Sequence, residues 1–186
     1  RNAERSESGA SSVQSVTEIE TLEQNRIITG IGEFDRTLGG GLVYGSLILI
    51  GGEPGIGKST LVLQSMGQMA RSGVKILYVS GEESPAQIKL RANRLATLSD
   101  NLLISSEICI ENVLQLIEQI KPDVLVIDSI QTFFTVELQS APGSIGQVRE
   151  VTFKIFQDIK KRAIPALLIG HITKDGAIAG PKSLEH

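Results

Sequence analysis

Gly52-Glu53-Pro54-Gly55-Ile56-Gly57-Lys58-Ser59-Thr60 decides how this chain folds. The stretch meets the pattern G-x-x-x-x-G-K-[ST] without a mismatch. An apolar run, Leu47-Ile48-Leu49-Ile50, precedes it, and Leu61-Val62-Leu63-Gln64-Ser65-Met66 follows with the look of a helix start. Strand, glycine-rich loop and helix in that order make a P-loop. The residue types follow from the chemistry. Glycines let the backbone curl so that successive N–H groups converge on phosphate oxygens. The positive end of the helix dipole adds to the pull. Lys58 then reaches the outer phosphates, and the Ser59 hydroxyl is placed to ligate Mg²⁺. The whole stretch from Gly52 to Thr60 is therefore the candidate nucleotide-binding segment.

Working outward, the chain of 186 residues is long enough for one α/β domain with a substantial core. A net charge of −3 gives no global signature of nucleic-acid binding, although a local basic patch is compatible with it. One cysteine, Cys109, rules out an internal disulfide and a cysteine zinc cluster within this chain. A reducing, intracellular compartment fits that count. No apolar run approaches the ~18 residues that span a bilayer, and no signal-peptide pattern opens the chain. A start at Arg1 and a stop at Glu185-His186 give the look of a piece of something longer.

Residues 1 to about 25 read as a flexible linker or tail, and 26–186 as the folded domain. Arg26–Ile31 suggests a short strand and turn, Glu33–Leu38 a short helix ended by Gly39-Gly40-Gly41. After the P-loop, alternation is regular: helix 58–71, strand 74–80, helix 86–96, strand 102–104, helix 111–120, strand 123–129, helix 145–162, strand 165–170. Strands that alternate with helices and are apolar along their length predict a parallel sheet covered on both faces, with the P-loop strand buried in it. Ligands bind such sheets at the carboxyl ends of the strands.

The other candidates stand at those ends. Asp128 closes the apolar strand Val124–Ile127. Beside a P-loop this acid holds Mg²⁺, and taken alone it equally caps a turn. Glu82 and Glu83 follow strand 74–80. Glu82 is the candidate catalytic carboxylate, orienting the attacking water, with Glu83 as its supporting partner. Repulsion between the two is expected to raise the proton affinity of one. His171 follows the last strand, either as a sensor of the outermost phosphate or simply closing the strand. Arg149, Lys154, Lys160, Lys161 and Arg162 on one helix, with Lys174 and Lys182, form either a basic path for a polynucleotide backbone or an ordinary solvated face. The segment from Phe133 to Ser144, with Pro142 and Gly143, reads as a long mobile loop. Cys109 has no assigned role.

With these residues in place, the sequence resembles the bacterial RadA (Sms) family of RecA-like ATPases over roughly 26–186. Gly39-Gly40-Gly41-Leu42, Gly52–Thr60, Ser80-Gly81-Glu82-Glu83-Ser84, Asp128-Ser129-Ile130-Gln131-Thr132 and Ser140-Ala141-Pro142-Gly143-Ser144 carry the likeness. So do two discriminating blocks, Gly170-His171-Ile172-Thr173-Lys174-Asp175-Gly176 and Ile178-Ala179-Gly180-Pro181 with Leu184-Glu185-His186. The resemblance implies a RecA-like P-loop core that hydrolyses ATP to ADP with Mg²⁺. It places Glu82 at the hydrolytic glutamate, His171 at the γ-phosphate sensor, and 133–147 and 172–182 at two DNA-facing loops. It further implies a helicase-like motor of homologous recombination and repair, acting on single-stranded and branched DNA in the bacterial cytoplasm. A hexameric ring of like subunits and RecA as a partner belong to the same picture. The family's four-cysteine zinc module is not in this chain, so zinc is expected only in a longer protein. Its Lys-Asn-Arg-Phe-Gly motif and Lon-protease-like domain would lie beyond His186. A KaiC-like scaffold, switched by ATP and acting through protein partners, is the competing reading, and a replicative helicase motor a third.

Overall fold

A computed structural model describes residues 26–171. The expectations for the tail 1–25, for the loop 172–182 with Thr173, Lys174, Asp175 and Lys182, and for the block ending at His186 lie outside the described residues. A two-stranded antiparallel ribbon, β1 (Arg26–Ile27) with β2 (Leu42–Val43), flanks the short helix α1 (Gly32–Thr37). The main sheet follows: β3 (Leu47–Gly52), β4 (Ile76–Ser80), β5 (Leu102–Ser105), β6 (Val124–Asp128) and β7 (Ala166–His171). Its helices are α2 (Lys58–Arg71), α3 (Pro85–Arg94), α4 (Ile110–Ile120) and α5 (Ile145–Arg162). All four strand pairings are parallel, in the spatial order β3-β7-β6-β4-β5. The α/β class and the parallel sheet covered on both faces are as the sequence predicts.

Alternation along the strands builds two cores, one on each face of the sheet. Ile76 and Tyr78 of β4 point to the side of α2 and α3, where Val62, Leu63, Met66 and Ile88 pack. Leu77 and Val79 point to the side of α4 and α5, among Val113, Ile117, Val151 and Ile155. The helices start on identifiable signals. Ser84 forms a capping box with Gln87 and is followed by Pro85, and Ser144 accepts from the Gln147 backbone N–H.

Two expectations are corrected. The P-loop strand is not buried in the sheet: β3 is an edge strand, paired among the described residues only with β7, and Leu49 is 38% exposed. A run of apolar letters marks packing against helices and says nothing of lateral neighbours. Nor is 133–144 a loose loop. Phe133 and Thr135 are fully buried, and residue 134 forms a bridge with Cys109. Gln147, buried on α5, donates from Nε2 to the carbonyls of Thr135 (3.2 Å), Leu138 (3.0 Å) and Ser140 (2.9 Å). Its Oε1 accepts from Thr135 N–H at 2.8 Å. One amide thus stands in for the backbone partners this segment lacks.

Glu111 supports the same segment. It accepts from the Thr135 hydroxyl and, at 3.4 Å, from Val136 N–H. Burial pushes its acidity the other way, but these bonds prevail and bring its pKa from the ordinary 4.5 down to about 2. A depressed carboxylate stabilises the fold above its unfolded pKa and loses that contribution as pH falls. Glu111→Gln should therefore flatten the pH dependence of urea unfolding between about 4.5 and 2. Gln147→Leu, which strands three carbonyls and an N–H, should cost about 2–4 kcal/mol in the same measurement.

Candidate functional site

Parallel register brings four strand ends together. Gly52 lies opposite His171, Asp128 opposite Ile169, and Ser80 opposite Asp128. The loop after β3, the loop after β4, the end of β6 and the end of β7 therefore share one rim. There they enclose a cleft of about 250 Å³ lined by Lys58, Ser59, Thr60, Glu82, Glu83 and His171, with Arg91 and the loop glycines.

The loop has the backbone a phosphate cradle needs. Gly55 and Gly57 hold φ values of +80° and +103°, in the left-handed region open to glycine. Helix α2 begins on Gly57 with no side chain capping it, unlike α3 and α5, and no acid stands in its first turn. Its first N–H groups are thus left for an anion. Lys58 is 7% exposed and folds back over the loop. Its Nζ donates to the carbonyls of Gly52 (2.7 Å) and Glu53 (2.8 Å) and lies 3.4 Å from Nδ1 of His171.

A chain of contacts crosses the cleft from there. An ammonium only donates, so Nδ1 of His171 is the acceptor and Nε2 carries the proton. Nε2 donates to Glu82 Oε1 at 2.5 Å, and the Ser129 hydroxyl donates to the same oxygen. Glu82 Oε2 accepts no bond among the described residues, which leaves it for water. Burial acts to raise the pKa of Glu82, but Ser129 and His171 outweigh it and hold the carboxyl below its usual range. The expected mutual support of Glu82 and Glu83 is corrected here. Glu83 turns away to pair with Arg91, and bonds to Glu82 replace the repulsion that would have raised its proton affinity.

The magnesium candidates also meet. Asp128 is 2% exposed and its Oδ2 accepts from the Tyr78 hydroxyl at 2.5 Å. Its Oδ1 is buried without a partner among the described residues, a vacancy that suits a cation. Burial first, then the neighbouring Asp128 charge, keep the Tyr78 phenol protonated far beyond its ordinary range. Ser59 is a further neighbour of that phenol and acts to lower its pKa. Ser59, Tyr78 and Asp128 thus form one group, and the donor set fits a hard cation bridging a phosphate. Tyr78 and Ser129 were not singled out in the sequence. Their signal was weak: a tyrosine inside an apolar strand reads as core, and a serine after an aspartate as a turn.

The basic path on α5 is only partly free. Lys154 pairs with Glu137 (2.6 Å) and Glu111 (3.5 Å), and Arg162 with Glu118 (2.5 Å) and Asp158 (2.8 Å). Lys160 lies 5.4 Å from the Phe156 ring centre.

The family model described as "ATPase: KaiC" matches residues 27–112. The DNA repair protein RadA of Aquifex aeolicus is 54% identical over 92% of this chain, covering 38% of that protein. RadA of Bacillus subtilis is 50% identical over 92% of the chain and 37% of its own length, and RadA of Escherichia coli 48% over 96% and 38%. The chain thus spans a little over a third of the length of these curated relatives. A KaiC-like protein of the archaeon Pyrococcus horikoshii shares the fold with a TM-score of 0.64 at 21% identity, over 80% of this chain and 72% of that one.

Tyr78→Phe keeps the ring and removes the donor, leaving a buried carboxylate with both oxygens unpaired. Denaturant unfolding should show a loss of about 1–3 kcal/mol. If Asp128 holds the metal, Mg²⁺ with ADP should narrow that gap, because the cation would take over the partnership of Asp128.

Proposed function

This chain carries the RecA-like ATPase portion of the RadA family, and from that premise we propose that it is the motor domain of an ATP-driven DNA repair protein. The observation that carries the reading is the Lys58–His171–Glu82 chain of contacts. One histidine, at the end of the strand that leads on to residue 172, touches both the phosphate-binding lysine and the candidate catalytic carboxylate. A change at the outer phosphate is thereby transmitted to the backbone that follows.

The nucleotide, when bound with Mg²⁺, supplies the phosphoanhydride to be cleaved, and the metal offsets its charge. The protein's own tasks are positional and electrostatic. The loop from Gly52 to Thr60 wraps the phosphates with backbone N–H groups, and Ile56 and Glu53 shape its outer turn. Lys58 exchanges the two loop carbonyls for phosphate oxygens. Ser59 and Asp128 hold the metal, with Tyr78 fixing the rotamer of Asp128. Glu82, kept ionised by Ser129 and His171, orients water through Oε2. ADP and phosphate leave with His171 returned to its partners. The residues after His171 and the segment 133–147 are the surfaces assigned to DNA, single-stranded and branched. The same reading assigns the recombination role, a helicase-like cycle, a ring of six copies, RecA as a partner and the bacterial cytoplasm. No described helix is long and apolar enough to cross a membrane.

A second reading, an ATP-switched scaffold that acts through protein partners, is favoured by the match of 27–112 to the KaiC model. The two part on DNA. The motor reading expects binding of a single-stranded oligonucleotide that weakens steeply with salt and responds to ATP. The scaffold reading expects ATP binding without any response to DNA.

Lys58→Ala should weaken ATP binding roughly 100-fold or more, from the loss of charge-assisted bonds, and abolish hydrolysis. Glu82→Gln should bind ATP about as tightly as the parent and lose turnover. Unchanged nucleotide titration in the lysine variant would overturn the P-loop assignment.

A further inference from the structure

We propose that Arg91 is a second phosphate-reading cation of the cleft, selective for the terminal phosphate, and that Glu83 restrains it until a triphosphate enters. The inference rests on the nucleotide reading above and names a residue and a selectivity that the reading leaves open.

Arg91 lies on α3, and its guanidinium returns to the loop that precedes the helix, where Nη2 pairs with Glu83 Oε1. That position is a boundary between two spaces. On one side is the phosphate cleft, which Arg91 lines together with Lys58, Ser59 and Glu82. On the other is a groove of about 440 Å³ along α3, which it lines with Gln87, Leu90 and Arg94. The side chain is only 17% exposed, yet it has room to shift on either side. Its partner at the rim, Glu83, adjoins Glu82 in the chain, so Arg91 stands beside the carboxylate proposed to orient water on the outermost phosphate.

Charge and donor counts argue the same way. Among the charged groups lining the cleft, Lys58 and Arg91 balance Glu82 and Glu83, so an entering triphosphate meets no net positive charge and one cation, Lys58, that is outside the Arg91–Glu83 pair. Arg91 offers its charge to an anion only when it leaves Glu83. A guanidinium presents five N–H donors, and a single bond to Glu83 is recorded among the described residues, so donors remain for an anion. A phosphate takes a guanidinium in the two-pronged geometry that suits both, and it brings more charge than one carboxylate. Exchange of Glu83 for the terminal phosphate is thus downhill with ATP and has no counterpart with ADP.

A structural ion pair and a restrained phosphate reader differ in sign. If the pair only braces the loop, removing either partner damages the site in the same direction. If Glu83 restrains Arg91, the two single variants move ATP affinity in opposite directions. The experiment titrates Mg²⁺–ATP and Mg²⁺–ADP against the parent, Arg91→Gln, Glu83→Gln and the double variant, with thermal unfolding of each as the folding control. Arg91→Gln should weaken ATP roughly ten- to hundredfold, the equivalent of a charge-assisted bond, and leave ADP within about twofold. Glu83→Gln should tighten ATP several-fold, roughly. The double variant should follow Arg91→Gln. Should Arg91→Gln fail to fold, Arg91→Lys keeps the charge without the fork and should lose part of the ATP preference. Shifts of the same sign in both single variants, or an ATP-to-ADP ratio unchanged in both, overturn the proposal. A parent that binds neither nucleotide, or a Lys58→Ala variant that binds as the parent does, overturns instead the nucleotide reading beneath it.

Discussion

Parallel pairing of β3, β7, β6 and β4 is the constraint on which the site depends. Residues far apart in sequence meet because register forces their strands to end at one level: Gly52 beside His171, Ile169 beside Asp128, Asp128 beside Ser80. A slip of one residue in β7 would carry His171 to the other face of the sheet and break its contacts with Lys58 and Glu82. The two cores prevent that slip, since it would also turn Leu167 and Ile169 away from α2 and α3. Hydrophobic packing on both faces therefore fixes the polar geometry at the rim.

What was legible in the sequence was whatever is local along the chain. The P-loop, the limits of α2 and α5, the alternation of strands and helices, and the acids at strand ends all declare themselves within a few residues. What was not legible is lateral. That β3 lies at an edge depends on which strands pair with it. That Tyr78 holds Asp128 depends on β4 and β6 being neighbours with their ends in register. Nothing in the sequence sets Gln147 apart, and only the fold shows it buried and bonded to four backbone groups. The Glu82-Glu83 pair was misjudged for the same reason: adjacency in sequence suggested repulsion, while Arg91, Ser129 and His171 arrive from other elements and set the two carboxylates to separate tasks.

Charge on α5 shows how composition misleads. Five basic residues on one helix suggest a track for a polyanion. In the fold, Glu111 and Glu137 take Lys154, and Asp158 and Glu118 take Arg162, so two of the five cations are held in ion pairs. Exposed pairs of this kind contribute little each, on the order of 0–1 kcal/mol, but they orient the side chains and lower the net field available to DNA.

The back-folded Lys58 has an energetic consequence for ligand capture. A free lysine tail samples many rotamers, and immobilising it costs about 1.5–2 kcal/mol. Here burial and two carbonyl acceptors have already frozen it during folding. On the proposed reading, an arriving phosphate would meet a tip that is preorganised, and association would swap one set of oxygen acceptors for another without a fresh entropic penalty. The same swap would set the two carbonyls of Gly52 and Glu53 loose, so the filled loop must find new partners for them.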